Sequence, residues 1–253
     1  MRVNMPRKKV KKSDISLSPF TSVKWLKADY HFHVFHYRMP ETVATASITS
    51  FVPSPLTVKM SMIASLLQSS DVNSAERLAP WLPQIDVRIV PPYSAFSFKT
   101  FLRYRSVPAV ESAIELDETG SYYHSRPHTR EFAMFQDKIT VFLGLPEESL
   151  LEIAKRALKN VRYLGCKDSL VTCLCVEEVT EDDVRNSPVV QRFQEGVAGI
   201  VVLGADFNGS AAVRLRDLIP SLRDEEHYSL LHLVLPGRIF VKGRTRIFKR
   251  NDL

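Results

Sequence analysis

Cations alternating with aromatic side chains along an extended segment can bind single-stranded nucleic acid, the cations at phosphates and the rings under bases. The stretch FSFKTFLRYR, residues 96–105, has that alternation. As a strand it places Ser97, Lys99, Phe101, Arg103 and Arg105 on one face. Phe96, Phe98, Thr100, Leu102 and Tyr104 fall on the other, which reads as core. The cationic face carries no acid and suits RNA; a solvated strand face is the plainer alternative. The C-terminal RIFVKGRTRIFKR, residues 238–250, alternates in the same way. Ile239, Val241 and Ile247 take one parity, and Arg238, Phe240, Lys242, Arg244, Arg246 and Phe248 the other, unless Gly243 turns the chain. Such a basic edge serves RNA contact, or protects a sheet edge from aggregation. A third cluster, SYYHSRPHTR, holds Tyr122, Tyr123, His124, Arg126, His128 and Arg130. Those side chains stack on unpaired bases and grip phosphates. A histidine there would also suit acid–base cleavage of RNA, and a polar hairpin is the simplest reading.

Other chemistry finds less support. His31 and His33 share a strand face while His36 points away, so HFHVFH reads as strand packing and not as a metal site. Cys173 and Cys175 sit in an apolar run, where cysteine is more often a core residue than a ligand. The phosphate-loop, dinucleotide, nucleophile-elbow, zinc-protease and RNP1 signatures are absent. No metal and no cofactor is expected. Three cysteines cannot all pair, which fits a reducing, cytoplasmic setting. No run approaches the roughly 20 apolar residues of a membrane span, and no apolar stretch follows the basic start as a secretory signal requires.

The net charge of +6 is uneven. Residues 1–12 carry six basic residues and no acid, and so do residues 238–250, leaving 22 basic and 27 acidic residues in 13–237. Basic ends on an acidic body suggest a polyanion partner or an acidic protein surface. For the N-terminal arm, simple solubilisation is the alternative.

The elements that must position these residues follow from periodicity. Residues 23–38 read as a long strand, and residues 55–68 as a helix capped by Ser54 with Pro55 in its first turn. Leu56, Met60, Ile63, Ala64 and Leu67 are its expected buried stripe. Strands follow at 84–90, 95–105 and 138–144, then a helix at 146–160 buried through Leu150, Ile153, Ala154, Ala157 and Leu158, then a strand at 170–179. The order is β-α-β-β-α-β, an α+β, ferredoxin-like (RRM-like) domain with a thumb-like hairpin inserted at about 92–130. The expected division is a basic tail at 1–20, this domain at 21–180, and a small, mainly-β region at 181–253 packed upon it.

Three stretches resemble the Cas-five family, a RAMP-superfamily subunit of type I CRISPR effector complexes. VPSPLTV resembles the family's strand-to-helix element, HSRPHTREFAMFQDKITVFL its R-E segment before the third core strand, and VRYLGCKDSLVTCLCVEEV its L-G turn after the second helix. Together they lie within about residues 23–180. Met60 or Ser61 stands where the family often has glycine, and Cys166 and Lys167 separate Gly165 from Asp168. Catalytic members carry an adjacent lysine–histidine pair, which this sequence lacks, so the resemblance favours a non-catalytic member. It implies a surveillance-complex subunit in antiviral defence that binds the 5′ handle of the guide RNA and caps the backbone filament. Its implied partners are the guide RNA, a Cas-seven backbone subunit, the large subunit and, through the complex, target DNA. Pro53 and Pro55 would then aim the helix start, with Ser54, Thr57 and Lys59, at the handle, and Lys167 would contact RNA from the L-G turn. Two alternatives stay open. One is a metal-independent endoribonuclease using Tyr122, Tyr123, His124 or His128. The other is an interaction module unrelated to CRISPR.

Overall fold

The computed structural model describes residues 22, 24–37, 46–105, 125–218 and 227–251, without the side chains of 46–47, 103–105 and 125–128. The basic N-terminal tail and Tyr122, Tyr123 and His124 lie outside the described residues.

The chain opens with β1 (Lys24–Phe32), a two-residue β2 (Ala46–Ser47), helix α1 (Pro55–Gln68) and a short α2 (Val72–Leu78). Then come β3 (Asp86–Val90), the long β4 (Ser94–Arg105) and β5 (Ser125–Phe135), β6 (Ile139–Leu145), α3 (Leu151–Lys159) and β7 (Val171–Val179). The remainder is α4 (Glu181–Arg185), β8 (Gln191–Arg192), β9 (Ile200–Phe207), β10 (Tyr228–Leu235), β11 (Gly237–Lys242) and β12 (Thr245–Arg250).

Three sheets result. The first runs β3-β6-β1-β7 with every neighbouring pair antiparallel. Alternation along β1 turns Leu26, Ala28, Tyr30 and Phe32 into the main core, with Val58, Met62 and Leu66 of α1 and Ile153 and Ala157 of α3. Tyr30 donates its hydroxyl to the Leu158 carbonyl of α3 at 2.8 Å, and Ser65 of α1 donates to Ala157 at 2.8 Å, so helices and sheet are tied by buried bonds. The opposite face buries Trp25 and Phe142 beneath Val184 of α4 and Val189.

The second sheet runs β11-β12-β4-β5-β2, and the third β8-β10-β9. β4 and β5 pair as long antiparallel strands, from Ala95↔Phe135 to Arg105↔Ser125. The region after 180 is not a separate body: β12 pairs with β4, putting the C-terminal hairpin in the same sheet as the insertion. Among the described residues no helix is long and apolar enough to cross a membrane.

Helix α1 departs from its expected stripe. Ser54 is the N-cap, accepting from the Thr57 amide at 3.3 Å, and Pro55 takes the first turn. Leu67 is nonetheless exposed, while Lys59, Ser61 and Ser65 are buried. Ser65 meets α3 at the Ala157 carbonyl, and β9 covers a second side of the helix. Lys59 has no accessible surface and pairs with Asp206 of β9 at 2.7 Å. Ser54 is buried too: its hydroxyl accepts from Tyr37 Oη at 3.0 Å, and a Cβ added to Gly204 of β9 would stand 3.5 Å from its Cβ. The helix start faces protein, so Ser54 and Lys59 do not present themselves to RNA.

Removing one partner of a buried pair strands a charge in the interior, whereas replacing both with apolar groups does not. Asp206→Ala is therefore expected to lower unfolding free energy by about 3–5 kcal/mol. Lys59→Met combined with Asp206→Leu should cost far less. Urea denaturation of the three chains checks this.

Candidate nucleic-acid interface

Two basic segments far apart in sequence become neighbours in the five-stranded sheet. Arg246 of β12 stands opposite Ser97 of β4, and Ile247 opposite Phe96. Gly243, at φ +62° with open space where a Cβ would stand, turns β11 into β12. That turn splits the single C-terminal parity. Val241, Arg246 and Phe248 share one face; Arg238, Phe240, Lys242, Ile247 and Lys249 share the other.

On the first face lies a groove of about 590 Å³, lined among others by Lys99 and Phe101 of β4, Glu131 of β5, Val241 of β11, Arg244 of the turn and Arg246 of β12. Glu131 makes its floor. This fully buried carboxylate accepts from Arg246 Nε at 2.8 Å and Nη2 at 2.6 Å, from the Thr49 amide at 3.0 Å and from the Ser97 hydroxyl. Arg246 also donates to the Thr49 carbonyl at 2.6 Å and lies over the Phe51 ring at 4.9 Å. Burial alone would raise the Glu131 pKa, but these donors, Arg246 foremost, outweigh it and hold the carboxyl below its ordinary range.

The rim is built differently. Lys99 and Arg244 are exposed, and neither has an ion-pair partner among the described residues. Phe101 is 65% exposed and Val241 71%. Cations and an open ring thus stand above a floor whose charges cancel each other. Such a rim can hold phosphates at Lys99 and Arg244 and stack a base on Phe101.

The other expected site residues scatter. Arg246 is a correction: its guanidinium is committed to Glu131 and Thr49, so it organises the floor instead of meeting RNA. The parity of β4 is corrected at its root, where Ala95 and Ser97 are buried and Phe96 is 46% exposed; only from Lys99 outward does the cationic face leave the core. Arg103 and Arg105 continue β4 opposite Pro127 and Ser125, with side chains outside the described part, as is that of Arg126 opposite Tyr104. Arg130 lies on the reverse face and pairs with Asp168 at 3.5 Å. Lys167 is exposed in the turn after α3, away from the groove, and Thr57 is half-buried beside its cap. Glu131 entered the sequence reading only as part of the R-E segment, with no role of its own, although it is the only acid in β5 and faces Lys99 across the ladder.

The histidine and cysteine readings concern the same body. His36 is buried and donates its Nδ1–H to the Glu131 carbonyl at 2.8 Å, and among the described residues no group of three His/Cys/Asp/Glu could hold a metal ion.

No family model matches the chain. The CRISPR-associated protein Cas5 of Archaeoglobus fulgidus is 27% identical over 161 residues, covering 63% of this chain and 67% of that protein. Over that stretch this chain is similar to a Cas5 protein. The similarity accords with the motif resemblance read from the sequence. Looser overlaps are found with solved structures. A CRISPR protein from Archaeoglobus fulgidus aligns at 13% identity and TM-score 0.42, over 90% of this chain and 92% of that one. A chain of a CRISPR RNA-guided surveillance complex aligns at 14% identity and TM-score 0.42, over 83% and 88%.

The floor generates a pH dependence with a fixed sign. Because folding lowers the Glu131 pKa, its contribution is complete above the unfolded value, about 4.3, and is lost as pH falls through the lower folded value. Glu131→Gln should be less stable than the native chain at pH 7, and the gap should narrow below about pH 4. Paired urea titrations at the two pH values measure it.

Proposed function

We propose that the chain is an RNA-binding subunit of a CRISPR RNA-guided effector complex, holding the 5′ handle of the guide RNA in the groove between β4 and the β11–β12 turn. The observation that carries this reading is convergence: Lys99 and Phe101 of β4 and Arg244 of the β11–β12 turn, some 140 residues apart in sequence, rim one groove. Similarity to Cas5 supports it, and the ferredoxin-like reading of the domain rests on the sheet order β3-β6-β1-β7 with α1 and α3 on one face. In this reading the subunit works by binding, without turnover. It takes its place beside a Cas-seven backbone subunit and the large subunit, and meets target DNA only through the assembled complex.

The test is a titration of labelled repeat-derived RNA across a salt series, with a scrambled RNA as control and a denaturing gel of the same samples. Preferential, salt-sensitive binding with intact RNA is expected. Lys99→Ala and Arg244→Ala should each reduce the salt slope by about 0.7, one released phosphate contact apiece. Phe101→Ala should cost about 1–3 kcal/mol with the slope unchanged. Three variants that bind like the native chain would move the RNA off this groove, and a discrete metal-independent cut would replace the binding subunit with an endoribonuclease.

A further inference from the structure

The reverse face of the five-stranded sheet carries a different surface. The register aligns Phe240 of β11, Ile247 of β12, Phe96 of β4 and Met134 of β5 in one row across four neighbouring strands. Phe240 is 51% exposed, Phe96 46% and Met134 42%. Three exposed apolar side chains joined through the half-buried Ile247 in one continuous row are more than the scattered hydrophobics of an ordinary surface. Beside the row, on the same face, Phe98 and Phe132 stack at 6.0 Å.

Charge flanks the row and has one sign. Arg238 and Lys249 pair across β11 and β12 on one side, and Lys242 lies on the other; all three are exposed and without an ion-pair partner among the described residues. Asp168 reaches the β5 margin, where Arg130 takes it up. No described residue of these strands on this face is acidic.

We propose that this row docks an acidic amphipathic helix of a partner protein. Four strands at about 4.8 Å spacing make a row roughly 14 Å long, the length of about ten helical residues. A helix laid across the strands would bring residues at i, i+3, i+4 and i+7 over Phe240, Ile247, Phe96 and Met134. Carboxylates along its flanks would meet Arg238, Lys249 and Lys242. The same charges argue against two other occupants. A second copy of this face would set cation against cation, and the N-terminal segment with Arg2, Arg7, Lys8, Lys9, Lys11 and Lys12 would be repelled. RNA is disfavoured because Ile247 and Met134 offer no ring on which a base can stack. The inference does not depend on which ligand fills the groove on the other face.

The probe is a stapled helical peptide of about 14 residues with leucines at i, i+3, i+4 and i+7 and glutamates elsewhere. Its counterpart carries lysine for every glutamate, and oligouridylate serves as the nucleic-acid control. The full chain is labelled at its methionine methyl groups. The acidic peptide is expected to bind at least about tenfold tighter than the lysine peptide, to weaken with salt, and to shift the Met134 methyl resonance. Phe96→Ser with Phe240→Ser, both at exposed positions, should weaken it at least about tenfold while thermal unfolding stays that of a folded chain. Equal binding of the two peptides, absence of binding, or an unmoved Met134 signal would overturn the proposal. So would oligouridylate binding that falls in the double variant, since the row would then be a base-stacking platform.

Discussion

The ion pair between Glu131 and Arg246 is the constraint on which the upper half of the molecule depends. It joins residues 115 apart in sequence and closes the one seam where the C-terminal hairpin meets the inserted one. A bare carboxylate in that position would be costly to bury. Two bonds from Arg246, one from Ser97 and one from the Thr49 amide satisfy it, and the Phe51 ring shields the guanidinium. Because the pair cancels its own charge, the groove floor is polar but neutral. Any net attraction for a polyanion must come from the rim. This division, a neutral anchor below and uncommitted cations above, lets the same segment both fold the sheet and offer a charged edge.

A second buried pair does similar work lower down. Lys59 and Asp206 fasten β9 over α1, and the three-stranded sheet thereby closes off the helix start that would otherwise be a phosphate site. The two pairs explain where function can and cannot lie. At α1 the polar groups answer one another inside the protein. On the long hairpin β4–β5 the cationic face leaves the core at Lys99 and Phe101, both exposed. The two faces of that sheet differ: one is basic and grooved from Lys99 outward, the other carries the apolar row at Phe96 and Met134, flanked by cations.

Much of the first sheet was legible because β1 is rich in aromatic and apolar residues, and the β6 run is apolar and buried throughout. The boundaries of α1 were legible from Ser54 and Pro55, whose side chains fix a helix start locally. Its buried face was not. Lys59 and Ser65 look like solvent residues; a third layer from residues 200–207 makes Lys59 interior, and the α3 carbonyl of Ala157 takes in Ser65. The cationic character of Lys99, Phe101 and Arg244 was legible from alternation, but their meeting was not, since strand pairing between residues 97 and 246 leaves no local mark. Arg246 shows the limit most clearly. It sits in a basic run like its neighbours, and a single acid in another strand decides that it turns inward.

The central claim is that RNA lies against the groove rimmed by Lys99, Phe101 and Arg244. The most direct measurement is ultraviolet crosslinking of the full chain to repeat-derived RNA carrying 4-thiouridine, with the adducts mapped by mass spectrometry. The account predicts adducts on β4 at Phe101 and at the turn around Arg244. Adducts concentrated instead on Lys27 and Lys138, at the four-stranded sheet, or on Lys167 after α3, would contradict it.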